Sequence, residues 1–170
     1  AKLTLVEAHQ MGGDCLNEGC VPSKALIKSA TLARQMRHAD ALGLAAVEPQ
    51  VDFGRVMDRI AAVVKAIAPH DSVERYAGLG VDVQIGRAKI VDPWHVQITH
   101  DDGRVQVLST RAIVIATGAQ PVVPPLPGLA EAGVLTSANL WGLRELPRRL
   151  LVLGGGPIGC ELAQAFARLG

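Results

Sequence analysis

Cysteine is scarce in this chain, with three among 170 residues. That is too few, and an odd number, for the disulfide framework of a small secreted domain. Aromatic residues make up only 3% of the chain. None interleave with basic residues, and no basic block occurs, so nothing points to a nucleic-acid partner. Charge is nearly balanced, at +1. No apolar run approaches the roughly 20 residues that span a bilayer; the longest are strand-length, so no membrane partner is expected. No charged-then-apolar leader opens the chain, and the expectation is a cytoplasmic protein in a reducing compartment. The sequence also has no starting methionine. It opens on a strand-like run and stops one helix after a glycine-rich loop. We expect a fragment of a longer protein, cut at both ends.

What is present is 49% hydrophobic and 19% charged, enough for one domain with a sizeable core and the start of a second. No internal repeat or low-complexity tract appears. "KLTLVE" (Lys2 to Glu7) alternates as a strand does. A turn at Gly12–Gly13 leads past two cysteines into "PSKALIKSATLARQM". This reads as a helix with Pro22 in its first turn and a buried stripe of Leu26, Ala30, Ala33 and Met36. "ADALGLAAVEPQ" reads as a loop. Asp52 caps a second helix with apolar Phe53, Val56, Met57, Ile60, Val63, Val64 and Ile67, ended or kinked by Pro69. Asp71 with Glu74 resembles a capping box that restarts a short helix to Tyr76.

The texture then changes to five short strand candidates: "VDVQIG", "AKIVD", "HVQITH", "VQVLS" and "AIVIATG". "HDDGR" forms a hairpin turn between the third and fourth. Proline-rich "QPVVPPLPG" (Gln120 to Gly128) is a linker. "LTSANLWGLRELP" contains a short helix.

Gly154-Gly155-Gly156-Pro157-Ile158-Gly159 matches G-x-G-x-x-G, a weak signal alone. Here it follows an apolar strand, Leu150 to Leu153, and opens a helix carrying Glu161, Leu162, Ala165 and Phe166. That context fits a dinucleotide loop. Glycines allow a tight turn and close backbone approach to a pyrophosphate, and the helix N-terminus supplies free N–H groups. An ordinary strand-to-helix turn is the plainer alternative. Glu7, an acid at a strand end, stands where a ribose hydroxyl is gripped, or is simply a solvated strand end.

"GGDCLNEGCVPSK" (Gly12 to Lys24) holds Cys15 and Cys20. In a regular helix, positions i and i+5 lie roughly 8–9 Å apart, whereas a disulfide needs α-carbons closer than about 7 Å. Asn17 and Gly19 tolerate unusual backbone and can supply the distortion. A loop this small adds limited chain-entropy stabilisation, so a structural staple fits less well. A metal clip also fits less well, because His9, His38, His70, His95 and His100 are scattered away from ligand spacing. A redox pair fits best. Cys20 sits just ahead of the helix start, where the dipole and Lys24 favour a thiolate. Cys160 reads as a small core residue.

"GGDCLNEGCVPSK", "IVIATGAQPVVPPLPG" and "LPRRLLVLGGGPIGCELAQAFARLG" closely resemble, in order, the flavin-dependent pyridine nucleotide–disulfide oxidoreductases, which include dihydrolipoamide dehydrogenase, glutathione reductase and mercuric reductase. The resemblance implies an α/β fold: a partial Rossmann-like FAD-binding domain with an inserted β-meander (residues 1–128), a connector (129–149) and the first βα unit of an NAD(P)-binding domain (150–170). It implies FAD and NAD or NADP as cofactors. The substrate would be a small disulfide or dithiol, or mercuric ion, and the parent a homodimer. A flavin NAD(P)H oxidase or quinone reductase, and a non-catalytic flavin-binding module, are the alternatives.

By the same resemblance, Cys15 would be the interchange thiol and Cys20 the charge-transfer thiol. Lys24 would approach the flavin N5 edge, paired with Glu161. Gly13 and Asp14 would lie near the flavin phosphates, and Glu7 would hold the adenosine ribose. Ala88 would touch adenine through its backbone, and Thr117, Gly118 and Ala119 would line the FAD site. Gly154, Gly156 and Gly159 would cradle the nicotinamide dinucleotide. No metal is implied. Two positions depart from the common pattern: Asp14 stands where many members have threonine, and Ala138 where aspartate is frequent. "APHDSVERY" and "PSK" look closer to the mercuric-reductase-like branch than to glutathione reductases.

Overall fold

Helices and short strands alternate in the computed structural model, which describes residues 2–170. In chain order they are β1 (Thr4–Glu7), α1 (Gly13–Asn17), α2 (Cys20–Arg37), α3 (Phe53–Ile67), α4 (Val73–Gly78), β2 (Asp82–Ile85), β3 (Arg87–Asp92), β4 (His95–Thr99), β5 (Val105–Ser109) and α5 (Pro157–Leu169). They form two compact units. One takes the chain up to Gly13 with Ile67–Ala119; the other takes Asp14–Ala66 with Gln120–Gly170.

The first unit is built on strand pairing. β1 and β2 run parallel, with Thr4 opposite Asp82 and Glu7 opposite Ile85. The Thr4 hydroxyl donates to Asp82 at 3.2 Å across the pair. β3, β4 and β5 form an antiparallel meander in that order. The β4–β5 turn closes where His100 N–H donates to the Arg104 carbonyl at 2.9 Å. Gly103 supplies a left-handed φ of 82° there. Gly86 joins the two sheets. Its N–H donates to the Glu7 carbonyl at 2.9 Å. A Cβ at Gly86 would lie 2.8 Å from the Thr99 carbonyl oxygen and 2.9 Å from Ile98 Cγ2. Ile98 is fully buried, so little there can yield.

The second unit is helical. Its core combines Leu26, Ala30 and Ala33 of α2, Phe53, Met57 and Ile60 of α3, Leu140, and Ala165, Phe166 and Leu169 of α5. These are the apolar positions at helical spacing, less Met36, which is half-buried. Alanines on α2 let its neighbours approach closely, and Phe53 packs on Phe166 with ring centroids 5.8 Å apart. The Arg37 guanidinium donates to the Arg168 carbonyl at 2.5 Å, tying the ends of α2 and α5. Asp52 caps α3 as its sequence predicts, accepting from Arg55 N–H at 3.0 Å.

Several boundaries differ from the sequence reading. α2 begins at Cys20, before Pro22. Ser72, not Asp71, caps α4: its hydroxyl accepts from Arg75 N–H at 3.2 Å. Pro69 draws Asp71 into a 3₁₀ turn, Ala68–Asp71, while Ser72 keeps the extended backbone (ψ 161°) that a cap requires. A 3₁₀ turn, Ala39–Leu42, stands inside the expected loop, and another, Leu140–Gly142, replaces the expected short helix. Residues 112–118 and Leu150–Leu153 are not strands. A strand is half of a hydrogen-bonded ladder, and neither segment meets a partner among the described residues. Val114 and Leu151 accordingly lie 88% and 83% exposed.

Gly86→Ala should lower unfolding stability by about 2 kcal/mol through overpacking. Gly78→Ala, at the end of α4 with nothing within 4 Å of the added carbon, should raise it by about 0.5 kcal/mol. Urea melts of the two variants should therefore move in opposite directions.

Candidate active site

The cysteines owe their arrangement to a break between two helices. Gly12 and Gly13, with φ of 91° and 55°, turn the chain into α1. Leu16, 3% exposed, anchors that short helix. Glu18 N–H donates to the Asp14 carbonyl at 2.9 Å, and α1 stops at Asn17. Gly19 then passes so close to α1 that a Cβ on it would lie 3.0 Å from the Asp14 carbonyl oxygen. α2 begins directly at Cys20, with Ser23 N–H donating back to the Gly19 carbonyl at 3.0 Å. The break is where the sequence put it. Gly19, without a Cβ, leaves the space that this approach needs.

Cys15 and Cys20 are both free and exposed, and they act on each other electrostatically across the break. The Cys20 side chain, as a hydrogen-bonding neighbour, is the largest cause pushing the Cys15 thiol above its ordinary value. Desolvation and the charge of Cys20 act the same way; the Cys20 backbone N–H and, more weakly still, the Lys24 ammonium oppose them. The arrangement suits thiol–disulfide exchange: two accessible thiols that act on each other, one holding its proton more tightly, beside a helix N-terminus.

One contributor escaped the sequence reading. The Trp141 indole N–H donates to the Glu18 carbonyl at 2.9 Å, across 123 positions of chain. No local pattern announces such a contact.

The glycine loop lies in the same unit. Gly154 takes a left-handed φ of 103°. Gly156 precedes Pro157 at the start of α5 and accepts from Cys160 N–H at 3.0 Å. A Cβ at Gly159 would meet the Gly154 carbonyl oxygen at 3.1 Å and Val152 at 3.3 Å. Turn, helix start and close packing thus fall to the three glycines of the motif, which fits a loop for an anionic dinucleotide. Cys160 is exposed, contrary to its reading as core. The buried side of α5 is Ala165, Phe166 and Leu169, and the Cys160 thiol turns back to the Gly155 carbonyl at 3.4 Å.

Lys24 and Glu161 are both exposed and form no ion pair among the described residues. Asp14 stands in the first turn of α1, in the same unit as both cysteines. Glu7, Gly13, Ala88, Thr117, Gly118 and Ala119 belong to the first unit. There the half-buried Glu7 carboxylate accepts from His9 N–H at 2.8 Å. Gly86, bonded to the Glu7 carbonyl, leads within two residues to Ala88 on β3, opposite Ile98. Thr117 is exposed, and Gly118 has a φ of 70°.

The sequence profile described as "Pyridine nucleotide-disulphide oxidoreductase" matches residues 1–170. A dihydrolipoyl dehydrogenase of Bacillus subtilis is 38% identical over 169 residues, covering 99% of this chain and 35% of that protein. A mercuric reductase of Streptomyces lividans is 35% identical, covering 99% and 36%. Among solved structures, LpdA of Mycobacterium tuberculosis superposes with a TM-score of 0.83 at 26% identity, covering 99% and 37%. The HOCl-induced flavoprotein disulfide reductase RclA of Escherichia coli does so at 0.79 and 32%, covering 100% and 35%. The chain thus spans about a third of the length of these proteins.

Alkylation of Cys15 in a Cys160→Ala background should show its pH midpoint above that of an ordinary thiol, because a bond donated by the Cys15 S–H toward Cys20 favours the protonated form. Adding Cys20→Ala removes that bond and should bring the midpoint down. An unchanged midpoint, read by mass spectrometry of the alkylated peptide, would contradict the pairing.

Proposed function

The chain belongs to the pyridine nucleotide-disulphide oxidoreductase family, and from that premise we propose that it is the cysteine-bearing part of an FAD-dependent NAD(P)H:disulfide oxidoreductase. The exposed Cys15 and Cys20, set on either side of a helix break, are the observation that carries this reading. The proposed substrate is a small disulfide or dithiol, or mercuric ion. That range follows the dihydrolipoyl dehydrogenases and mercuric reductases among the relatives. Residues 1–128 are assigned to the FAD-binding domain, 129–149 to a connector and 150–170 to the start of an NAD(P)-binding domain. The whole protein is proposed as a cytoplasmic homodimer.

When bound, FAD supplies two-electron exchange between a nicotinamide and the cysteine pair. The chain's own residues divide the rest of the work. Cys20, in the first turn of α2 with Lys24 one turn on, is the thiol that faces the cofactor; free N–H groups and the ammonium favour negative charge there. Cys15 meets the substrate. A thiol whose proton is held tightly is a stronger nucleophile once ionised. Its thiolate attacks one sulfur of a substrate disulfide, forming a mixed disulfide and releasing the first thiol. The Cys20 thiolate then attacks the Cys15 sulfur, releasing the second thiol and closing the Cys15–Cys20 bond.

Glu7 grips a ribose hydroxyl, and Ala88 meets adenine through its backbone. Gly13, Asp14, Thr117, Gly118 and Ala119 line the FAD site. Gly154, Gly156 and Gly159 admit the pyrophosphate of the nicotinamide dinucleotide, and Glu161 with Lys24 flanks the flavin.

The 170-residue chain by itself should retain FAD weakly or not at all and show no NAD(P)H turnover. Tight FAD retention with steady turnover would overturn that division of labour. In a longer form carrying the flanking segments of its relatives, anaerobic NADH titration should raise a long-wavelength thiolate–flavin absorption band. Cys20→Ser should abolish it, and a band that survives would remove Cys20 from its assigned role.

A further inference from the structure

We propose that Trp141 is a positioning residue for the cysteine pair, its indole N–H holding the Glu18 carbonyl and, through it, the link between the two sulfurs. The inference rests on reading Cys15 and Cys20 as a redox pair.

The argument starts with the link. α1 has only five residues, Gly13–Asn17, too few for a helix to persist without outside support. Its last carbonyls have no partner within the helix. Among them Glu18, the residue just past its end, faces a donor from far along the chain: Trp141 Nε1 at 2.9 Å. Glu18 N–H is bonded to Asp14 at 2.9 Å, so this residue is held on both its N–H and its C=O. Gly19 and Cys20 follow immediately. The pose of Glu18 therefore decides how the chain leaves α1 and where α2 begins.

Trp141 is itself firmly seated. The Asn139 side chain accepts from Thr136 N–H at 2.7 Å and donates to the Val134 carbonyl at 3.0 Å, closing the turn before it. Leu140, 4% exposed, is part of the helical core, and Trp141 packs against the same core. The indole thus transmits the position of the core to the cysteine link. An unclamped link would sample more conformations, and the two thiols would spend less time in contact. Their effective concentration for one another, which sets how readily they form a disulfide, would fall.

The test is a thiol–disulfide equilibrium on this chain in a Cys160→Ala background, with glutathione as the redox partner. Two protein thiols and one oxidised glutathione give one protein disulfide and two reduced glutathiones. The disulfide fraction is read by acid quench, alkylation and mass spectrometry. Trp141→Phe keeps an aromatic ring but loses the N–H. It should lower the equilibrium constant for the Cys15–Cys20 disulfide by about fivefold, the scale of one net hydrogen bond. Ile98→Val, an equally mild change at a fully buried position of the first unit, serves as the control and should leave the constant unchanged.

If Trp141→Phe does not fold by circular dichroism, replacing the indole at this position with its sulfur isostere removes only the donor, and the same fall is expected. A constant unchanged in the Trp141 variant, or lowered equally in Ile98→Val, overturns the positioning role. A parent chain that forms no Cys15–Cys20 disulfide at any glutathione ratio overturns the redox-pair reading itself, and this inference with it.

Discussion

The chemistry available to this chain depends on one close approach: the bare α-carbon of Gly19 against the carbonyl of Asp14, where an added Cβ would sit at 3.0 Å. Two cysteines five positions apart in a continuous helix are held roughly 8–9 Å from each other. Ending α1 at Asn17 and restarting at Cys20 removes that constraint, and each thiol acts on the other. A side chain at position 19 would push the two helices apart and separate the sulfurs. The break also makes Cys20 the first residue of a helix, where unpaired N–H groups favour negative charge.

The second unit repeats this use of a helix start. α2 opens at the cysteine pair and α5 opens at the glycine loop, and both bury their apolar sides in one core, through Leu26, Ala30 and Ala33 on one helix and Ala165, Phe166 and Leu169 on the other. Arg37 fastens their far ends. Two N-termini suited to electron-rich groups are thus carried by a single packed body. The first unit has a different economy. Its parallel β1–β2 pair and antiparallel meander meet at Gly86, whose N–H holds the Glu7 carbonyl and whose α-carbon has no room for a substituent.

Periodic features were legible in the sequence. α2, α3 and α5 stand where apolar residues recur at helical spacing, and four of the five expected short strands pair. The Gly12–Gly13 turn, the Asp52 cap and the β4–β5 hairpin turn follow from residue types that act locally. Features that need a partner were less legible. Residues 112–118 and 150–153 have strand composition yet meet no ladder among the described residues. The choice of Ser72 over Asp71 as cap hangs on the 3₁₀ turn at Pro69. Cys160 has a core residue's size but lies on the exposed side of its helix. The Lys24–Glu161 ion pair implied by family resemblance is not formed.

The sequence by itself determined the family, because three motifs occur in order along the whole chain, and it determined which residues could do chemistry, because thiols, glycines and carboxylates act by type. It also marked where the helix between the cysteines could break, since Asn17 and Gly19 tolerate unusual backbone. Only the tertiary structure decided how that break is held: the Trp141 indole reaches the Glu18 carbonyl from 123 positions away. Such a bond depends on how the core seats Leu140 and Trp141. It has no periodicity and no local signature, because the distance that matters is through space rather than along the chain.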